Sequence, residues 1–310
     1  MSGSGYERAV AYVKRSARPV ERALYEVLFE GAPYRRLTDE LRAFANPDGG
    51  FGHALEPDLR TPDSSVLATA IGLRMLRDAR CPGEDPLVQG AVCFLERSVD
   101  PELLVWPAVP ADANDHPHAP WWHQENGKLA RLFDGFRIIP RALVVALLHT
   151  YGGDRRPPWL DEVTASTVAY IASAPALGTG GGSDLEYAIE LAETEALPPA
   201  LRERLVCRIR RAIPAAVKRT PEAWSGYCVT PFRAAPTPTS IGAELIADLV
   251  DAYVGFLLET QADDGAWEPT WSWGASYPRD WAVARKEWRG VLTVDTLRSL
   301  RAHGHGGSPR

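Results

Sequence analysis

Two segments of this 310-residue chain carry the same punctuation, Asn46-Pro-Asp-Gly-Gly-Phe-Gly52 and Gln261-Ala-Asp-Asp-Gly-Ala-Trp267. Each is an acidic-glycine turn closed by an aromatic residue, and each follows an apolar run of helical spacing. Each then leads through a loop to a further helical run containing threonine, Ser64–Leu76 after the first and Val291–Arg301 after the second. Asp-Gly alone marks a generic turn, because glycine accepts backbone conformations that other residues resist. Two copies in one helical context predict a structural repeat, and a repeat constrains the whole architecture.

The remaining pattern is helical. Apolar residues recur every three or four positions in Arg8–Ser16, Val20–Glu30 and Tyr34–Phe44. Ser64–Asp78 reads as a largely buried helix, with Asp63 or Ser64 placed to cap it. Pro86–Ser98, Pro140–Tyr151, Pro158–Ala172, Asp184–Glu195, Pro199–Val217 and Ile241–Gln261 follow, several opened by proline or an acidic residue. Alternating strand patterns are nearly absent; one short extended piece fits Leu103–Val109. The expectation is an all-α fold of about eleven helices. Long connections fall at Pro47–Asp63, Pro101–Arg137, Trp224–Thr239 and Asp263–Arg289, and they hold most of the Trp, His, Pro and Gly residues. Aromatic-rich loops between packed helices are where a helical scaffold places function. With no linker or shift in composition, residues 6–303 read as a single domain. Residues 1–5 and 304–310 read as disordered tails, with His303 and His305 solvated.

Composition narrows the partners. Hydrophobic residues make up 45% and charged residues 24%, enough for a substantial core. Net charge is −6 and no basic stripe exists, which argues against nucleic acid and anionic membrane surfaces. No run is long and apolar enough for a membrane helix, and the N-terminus lacks a signal-type apolar core. Cys81, Cys93, Cys207 and Cys228 form no CxxC pair and read as free buried thiols of a cytoplasmic protein.

The two turns and the run Trp288–Leu300 carry a resemblance. Gln261–Trp267 resembles the QW-type turn of the α/α-toroid superfamily of terpenoid cyclases and protein prenyltransferases, in which Gln and Trp join adjacent helix ends. Asn46–Gly52 is similar to its glycine-rich version, and Trp288–Leu300 to the inner helix that follows such a turn. The resemblance covers about a quarter of the chain directly. It implies a single α/α toroid, a barrel of helix pairs with long functional loops. It does not carry an activity. The DxDD acid of class II cyclases and the DDxxD magnesium motif of class I enzymes are both absent, and no cysteine stands in a prenyltransferase zinc context.

Three residue sets are candidates for chemistry. Glu56, Asp58, Arg60 and Asp63 follow the first turn and precede a buried helix. A carboxyl desolvated there gains a raised pKa and can protonate a substrate. Asp58 is the expected acid, tuned by Glu56 and Asp63, while Arg60 holds a carboxylate ionised or binds an anion. The alternative is a capping residue and a loop ion pair. His116, His118 and His123 offer imidazoles for a metal, though Pro117 and Pro120 give them an uncommon spacing. The preferred use is a pocket wall, with Trp121 and Trp122 facing a cavity and His118 or His123 moving a proton. Trp267, Trp271, Trp273, Tyr277, Trp281 and Trp288 supply aromatic faces suited to a carbocation or to a sugar ring. Trp267 reads best as an anchor of the repeat turn. Tyr227 joins the expected wall; Cys228 has no base near it in sequence.

Three functions remain open. The first is acid-initiated cyclisation or isomerisation of a small apolar or isoprenoid substrate in a central cavity, without cofactor. The second is a carbohydrate-active α/α-barrel hydrolase or lyase using paired carboxylates. The third is a toroid that binds a small molecule or peptide without chemistry.

Overall fold

The structure is a computed structural model that describes residues 3–132, 136–153, 156–179 and 183–306. The fold is all-α, and no β-strand occurs among the described residues beyond isolated bridges. The helices are α1 (Gly3–Ser16), α2 (Pro19–Glu30), α3 (Arg35–Leu41), α4 (Val66–Asp78), α5 (Pro86–Arg97), α6 (Lys128–Leu132) and α7 (Arg141–Tyr151), then α8 (Leu160–Ser173), α9 (Ser183–Glu193), α10 (Pro199–Ala216), α11 (Pro221–Trp224), α12 (Pro231–Ala234), α13 (Val250–Thr260) and α14 (Pro278–Ala302).

The repeat is present down to its hydrogen bonds. In the first turn Asn46 N–H donates to Gly50 O at 2.9 Å and Gly49 N–H to Asn46 O at 2.9 Å; in the second Ala262 N–H donates to Ala266 O at 3.0 Å and Gly265 N–H to Ala262 O at 2.8 Å. Asp48 and Asp264 each accept from the backbone N–H two residues on. The aromatic's own N–H then reaches a threonine on the next helix, Phe51 to Thr69 at 2.9 Å and Trp267 to Thr293 at 3.3 Å. Gly49 and Gly265 adopt φ of +88° and +98°, and a Cβ would lie 2.5 Å from Gly90 O or 2.3 Å from Arg8 O. Only glycine fits there. The first turn thereby rests on α5 and the second on α1.

A third station escapes the sequence pattern because it contains no glycine. Asp100 N–H donates to Val105 O and Leu104 N–H to Asp100 O, each at 2.8 Å, with Leu104 at φ +52° in the glycine's place. Trp106 closes it. Its indole N–H reaches Leu95 O near the end of α5 at 2.7 Å, as Trp267 reaches Leu257 O near the end of α13 at 2.8 Å. Both satisfy a carbonyl that a helix terminus leaves open. This station replaces the extended piece expected at Leu103–Val109.

Packing joins the ends of the chain. α14 lies against both α1 and α2, α4 against α5 and α7, α7 against α8 and α9, and α9 against α10 and α12. Gln261 fastens the seam, its amide N–H donating to Gly5 O and Gly265 O at 2.9 Å while its oxygen accepts from Arg8 at 2.7 Å. One continuous apolar core runs through these helices, and a smaller cluster holds Leu59, Leu67, Trp122, Trp273 and Ala284.

Several expectations change. Ser65 caps α4, its Oγ accepting from Ala68 N–H at 2.9 Å, so neither Asp63 nor Ser64 does. The helix expected over Ile241–Gln261 spans only Val250–Thr260, because Gly242 turns left-handed (φ +77°) and short 3-10 turns follow it. The loop expected to run to Arg289 ends at Tyr277. Pro278 opens α14, and Trp281, Ala284 and Trp288 extend its inward stripe at spacings of three and four. α1 begins at Gly3, inside the expected tail; residues 1, 2 and 307–310 lie outside the described residues. His303 is not solvated: it stacks on Phe232 at 5.0 Å and meets Ala235 O at 3.0 Å. Cys81 and Cys228 are buried, but Cys93 and Cys207 are exposed; all four are free.

Candidate functional site

The loop after the first turn is bent sharply. His53 and Ala54 both take positive φ, +53° and +60°, which costs a non-glycine residue about 1–2 kcal/mol each. The surroundings hold them there. His53 N–H donates to Thr61 O at 3.0 Å, and Arg18 donates to Ala54 O at 2.8 Å. Arg18 also pairs with Glu21 at 2.9 Å. The long loop from Pro101 lies across the other side, where Arg60 N–H reaches Pro117 O at 3.1 Å and Ala119 N–H reaches Asp58 O at 2.8 Å. Two carboxyls are thereby carried inward: Glu56 is 5% exposed and Asp58 3%.

Asp58 is the centre of the site. Its Oδ1 accepts indole N–H bonds from Trp273 at 2.8 Å and Trp288 at 2.7 Å. The Trp271 N–H also favours the Asp58 anion, although that buried nitrogen completes no hydrogen bond. Burial pushes the Asp58 carboxyl up to about 6, against the opposing pull of the three indoles and Arg60. Burial, then the charge of Asp58, holds Glu56 well above the usual carboxylate range, despite the Asp58 and Leu59 backbone N–H groups and Arg18. Glu56 Oε2 is buried with no hydrogen-bond partner among the described residues. Burial thus favours the protonated form of Glu56, while three indole N–H groups favour the anion of Asp58 beside it, the division of roles that an acid–base pair requires.

The other expected residues divide. Arg60 forms a two-pronged pair with Glu287, at 2.8 and 3.3 Å, rather than meeting Asp58 directly. Asp63 is exposed and takes no part; its backbone N–H is satisfied by Thr61. Tyr227 is exposed and meets the edge of Trp271 at 5.8 Å, and Trp271 meets Trp288 at 5.0 Å. Tyr227, Trp271 and Trp288 form a row leading from solvent to Asp58. Trp273 is buried behind that row with Trp121 and Trp122 in the smaller apolar cluster, so those two support the site instead of facing it.

His118 is buried. Its Nδ1 donates to His116 O at 2.6 Å, a carbonyl that only accepts, and its Nε2 shares a hydrogen bond with His123 Nδ1 at 3.0 Å. His123 is exposed, and His116 turns to Asp112 at 3.3 Å. The three imidazoles do not converge, and no group of metal-binding side chains stands together among the described residues.

Sequence reasoning missed what lies beneath. Arg74, Arg77 and Asp78 on α4, Glu186, Tyr187 and Glu190 on α9, Arg233 on α12, and Asp295 and Arg298 on α14 form one polar group. Arg77 bonds Glu190 at 2.6 Å and Asp78 at 3.0 Å; Arg298 bonds Asp78 at 2.7 Å; Arg233 bonds Glu186 at 3.1 Å and covers the Tyr227 ring at 5.0 Å. Asp295 is reachable by solvent, yet burial raises its pKa against the pull of Arg298 and Arg74. Both facts hold together when the accessible surface lies in an enclosed recess. Arg74 and Arg298 stand at the same place in the repeat, five residues after Thr69 and Thr293. Charges along one face of a helix usually mark the solvent side, so the sequence held no sign that these faces meet.

No protein-family profile and no curated protein matches this chain.

Proposed function

We propose that the protein is an acid–base enzyme acting on a polar, hydroxylated small molecule, of the carbohydrate-active hydrolase or lyase class. The observation that carries this reading is the buried carboxyl pair, Glu56 with no hydrogen-bond partner for Oε2 among the described residues and Asp58 held by two indole N–H groups, above a recess lined by ion pairs. Glu56 donates the proton to the leaving oxygen. Asp58 keeps that proton in place by its charge and stabilises positive charge that develops as the bond breaks; water then adds to that carbon, or in a lyase the neighbouring carbon loses a proton, and the proton released returns to Glu56. Tyr227, Trp271 and Trp288 offer flat faces to the ring of the substrate. A hydrocarbon would have to strip water from the guanidinium and carboxylate groups of the recess without replacing its hydrogen bonds.

The repeat turns and the packing of α14 on α1 and α2 support a ring of helix pairs, the α/α toroid of the terpenoid cyclase and prenyltransferase superfamily. The cyclase reading rests on a further observation, the three tryptophans gathered around an acid. Four unpaired cysteines support a cytoplasmic setting.

One experiment separates these readings. The protein is incubated with neutral oligosaccharides and, separately, with isoprenoid diphosphates, and products are followed by mass spectrometry for wild type and Asp58→Asn. The proposal expects sugar turnover that Asp58→Asn abolishes. Turnover of isoprenoids alone would return the cyclase reading, and sugar binding without turnover would leave a binding protein.

A further inference from the structure

The charges of the recess define what it holds. Among the described residues it presents four guanidinium groups, Arg74, Arg77, Arg233 and Arg298, and four carboxyls, Asp78, Glu186, Glu190 and Asp295. Arg77, Arg233, Arg298, Asp78, Glu186 and Glu190 are committed to one another. Arg74 is not: among the described residues its one ion contact is Glu190 at 3.6 Å and its guanidinium makes no hydrogen bond. Asp295 accepts no hydrogen bond there, and the Tyr187 hydroxyl makes none. All three side chains are reachable by solvent. Arg74 lies close enough to Tyr187 and Asp295 for their charges to act on its own, yet Arg74 and Asp295 do not close into an ion pair.

A gap between an unused donor set and an unused acceptor set is filled by a ligand that offers both. A hydroxyl does so, accepting from Arg74 and donating to Asp295. Within this group four guanidinium groups stand against four carboxyls, a balance that favours a ligand without net charge. An anion that reached Arg74 would also face Asp295, Glu186 and Glu190; a cation at Asp295 would face Arg74 and Arg298. The aromatic row stands at the same end as Arg233 and Glu186, so a ring stacked there extends its hydroxyls into the recess.

We propose that Arg74, Tyr187 and Asp295 form a subsite for the hydroxyl groups of a neutral sugar ring. The inference rests on the reading of the recess as the substrate site, and it adds the charge class of the substrate and the groups that recognise it.

Calorimetric titration tests it. The probes are the methyl pyranosides of glucose, galactose and mannose, set against glucuronate, glucosamine and γ-aminobutyrate. The proteins are wild type, Asp58→Asn, Arg74→Met, Asp295→Asn and Tyr187→Phe, the last removing one hydroxyl with little risk to folding. The subsite predicts that at least one neutral pyranoside binds wild type with a Kd of about 1–10 mM. That binding survives in Asp58→Asn and weakens about tenfold in Arg74→Met and Asp295→Asn, and severalfold in Tyr187→Phe. Charged sugars bind more weakly than their neutral counterparts. The proposal is overturned if the three subsite variants bind as wild type does, if no neutral pyranoside binds wild type, or if γ-aminobutyrate binds in preference. Intact binding in the subsite variants with turnover lost in Asp58→Asn sinks the subsite and leaves the acid–base reading. Binding lost in the subsite variants with turnover retained in Asp58→Asn does the reverse.

Discussion

Replacing Asp58 by Asn should make the folded protein more stable at pH 7. The carboxyl moves from its ordinary 3.8 to about 6 on folding, which corresponds to about 3 kcal/mol against carrying the charge in the folded state. The sign follows from the direction. A folded-state value above the unfolded one contributes stability that is fully present below about pH 3.8 and is lost as pH rises through about 6. The two indole bonds are already included in that balance, because they favour the anion and still do not restore the ordinary value. Asn is neutral and keeps one oxygen for Trp273 and Trp288. Its amide N–H groups point at a neighbourhood of donors, a cost of about 1–2 kcal/mol. The net gain at pH 7 is about 1–2 kcal/mol, a rise in Tm of about 2–4 °C for a chain of this size. At pH 4 the order reverses, since wild-type Asp58 is then largely protonated and the amide cost remains. Calorimetric melting of both proteins at the two pH values reads the effect. A variant destabilised by more than about 1 kcal/mol at pH 7 would show that Asp58 is a structural tie for its tryptophans and not a strained functional group.

Other consequences are equally open to measurement. Trp288→Phe keeps an aromatic face but removes the indole N–H from the Asp58 anion; carboxyl 13C NMR should show Asp58 titrating higher than in wild type, and a lower value would contradict the hydrogen-bond argument. Gly49→Ala and Gly265→Ala place a Cβ against backbone at 2.5 and 2.3 Å; each should cost at least about 3 kcal/mol in urea unfolding, and a cost below about 1 kcal/mol would refute the close approach. Thr69→Val and Thr293→Val each leave a turn N–H unsatisfied; each should cost about 1–3 kcal/mol, and costs that differ by more than the range would deny that the two turns are equivalent.

The parts legible in sequence were those governed by local chemistry. Glycine at positive φ, aspartate two residues before a free N–H and an aromatic after them are all dictated within seven residues, so the turns and the threonines that follow could be found without coordinates. Asp58 and Glu56 stood out as carboxyls between a turn and an apolar helix, a setting that buried these two and left Asp63 exposed, but which of the pair would hold a proton depends on the indoles that meet Asp58 across the fold. The long reach of α14 was obscured by its own tryptophans, which resemble loop residues until Pro278 is seen to open a helix. The third station was hidden because Leu104 adopts a conformation usually left to glycine. Asp63 misled for the opposite reason: its place in the sequence fits a cap, but Ser65 lies at the first turn and takes the role. The recess depends on α4, α9 and α14 facing one another, a property of packing that no single helix records.

The most direct test of the acid–base account is the activity of Glu56→Gln on the neutral oligosaccharide that wild type turns over. Gln keeps the volume and the backbone contacts of Glu56 but has no proton to give. The account predicts kcat/KM lower by about 10²–10⁴-fold, with the melting temperature at pH 7 kept or raised, since Gln removes a carboxyl that burial disfavours as an anion. Full activity in Glu56→Gln would contradict it.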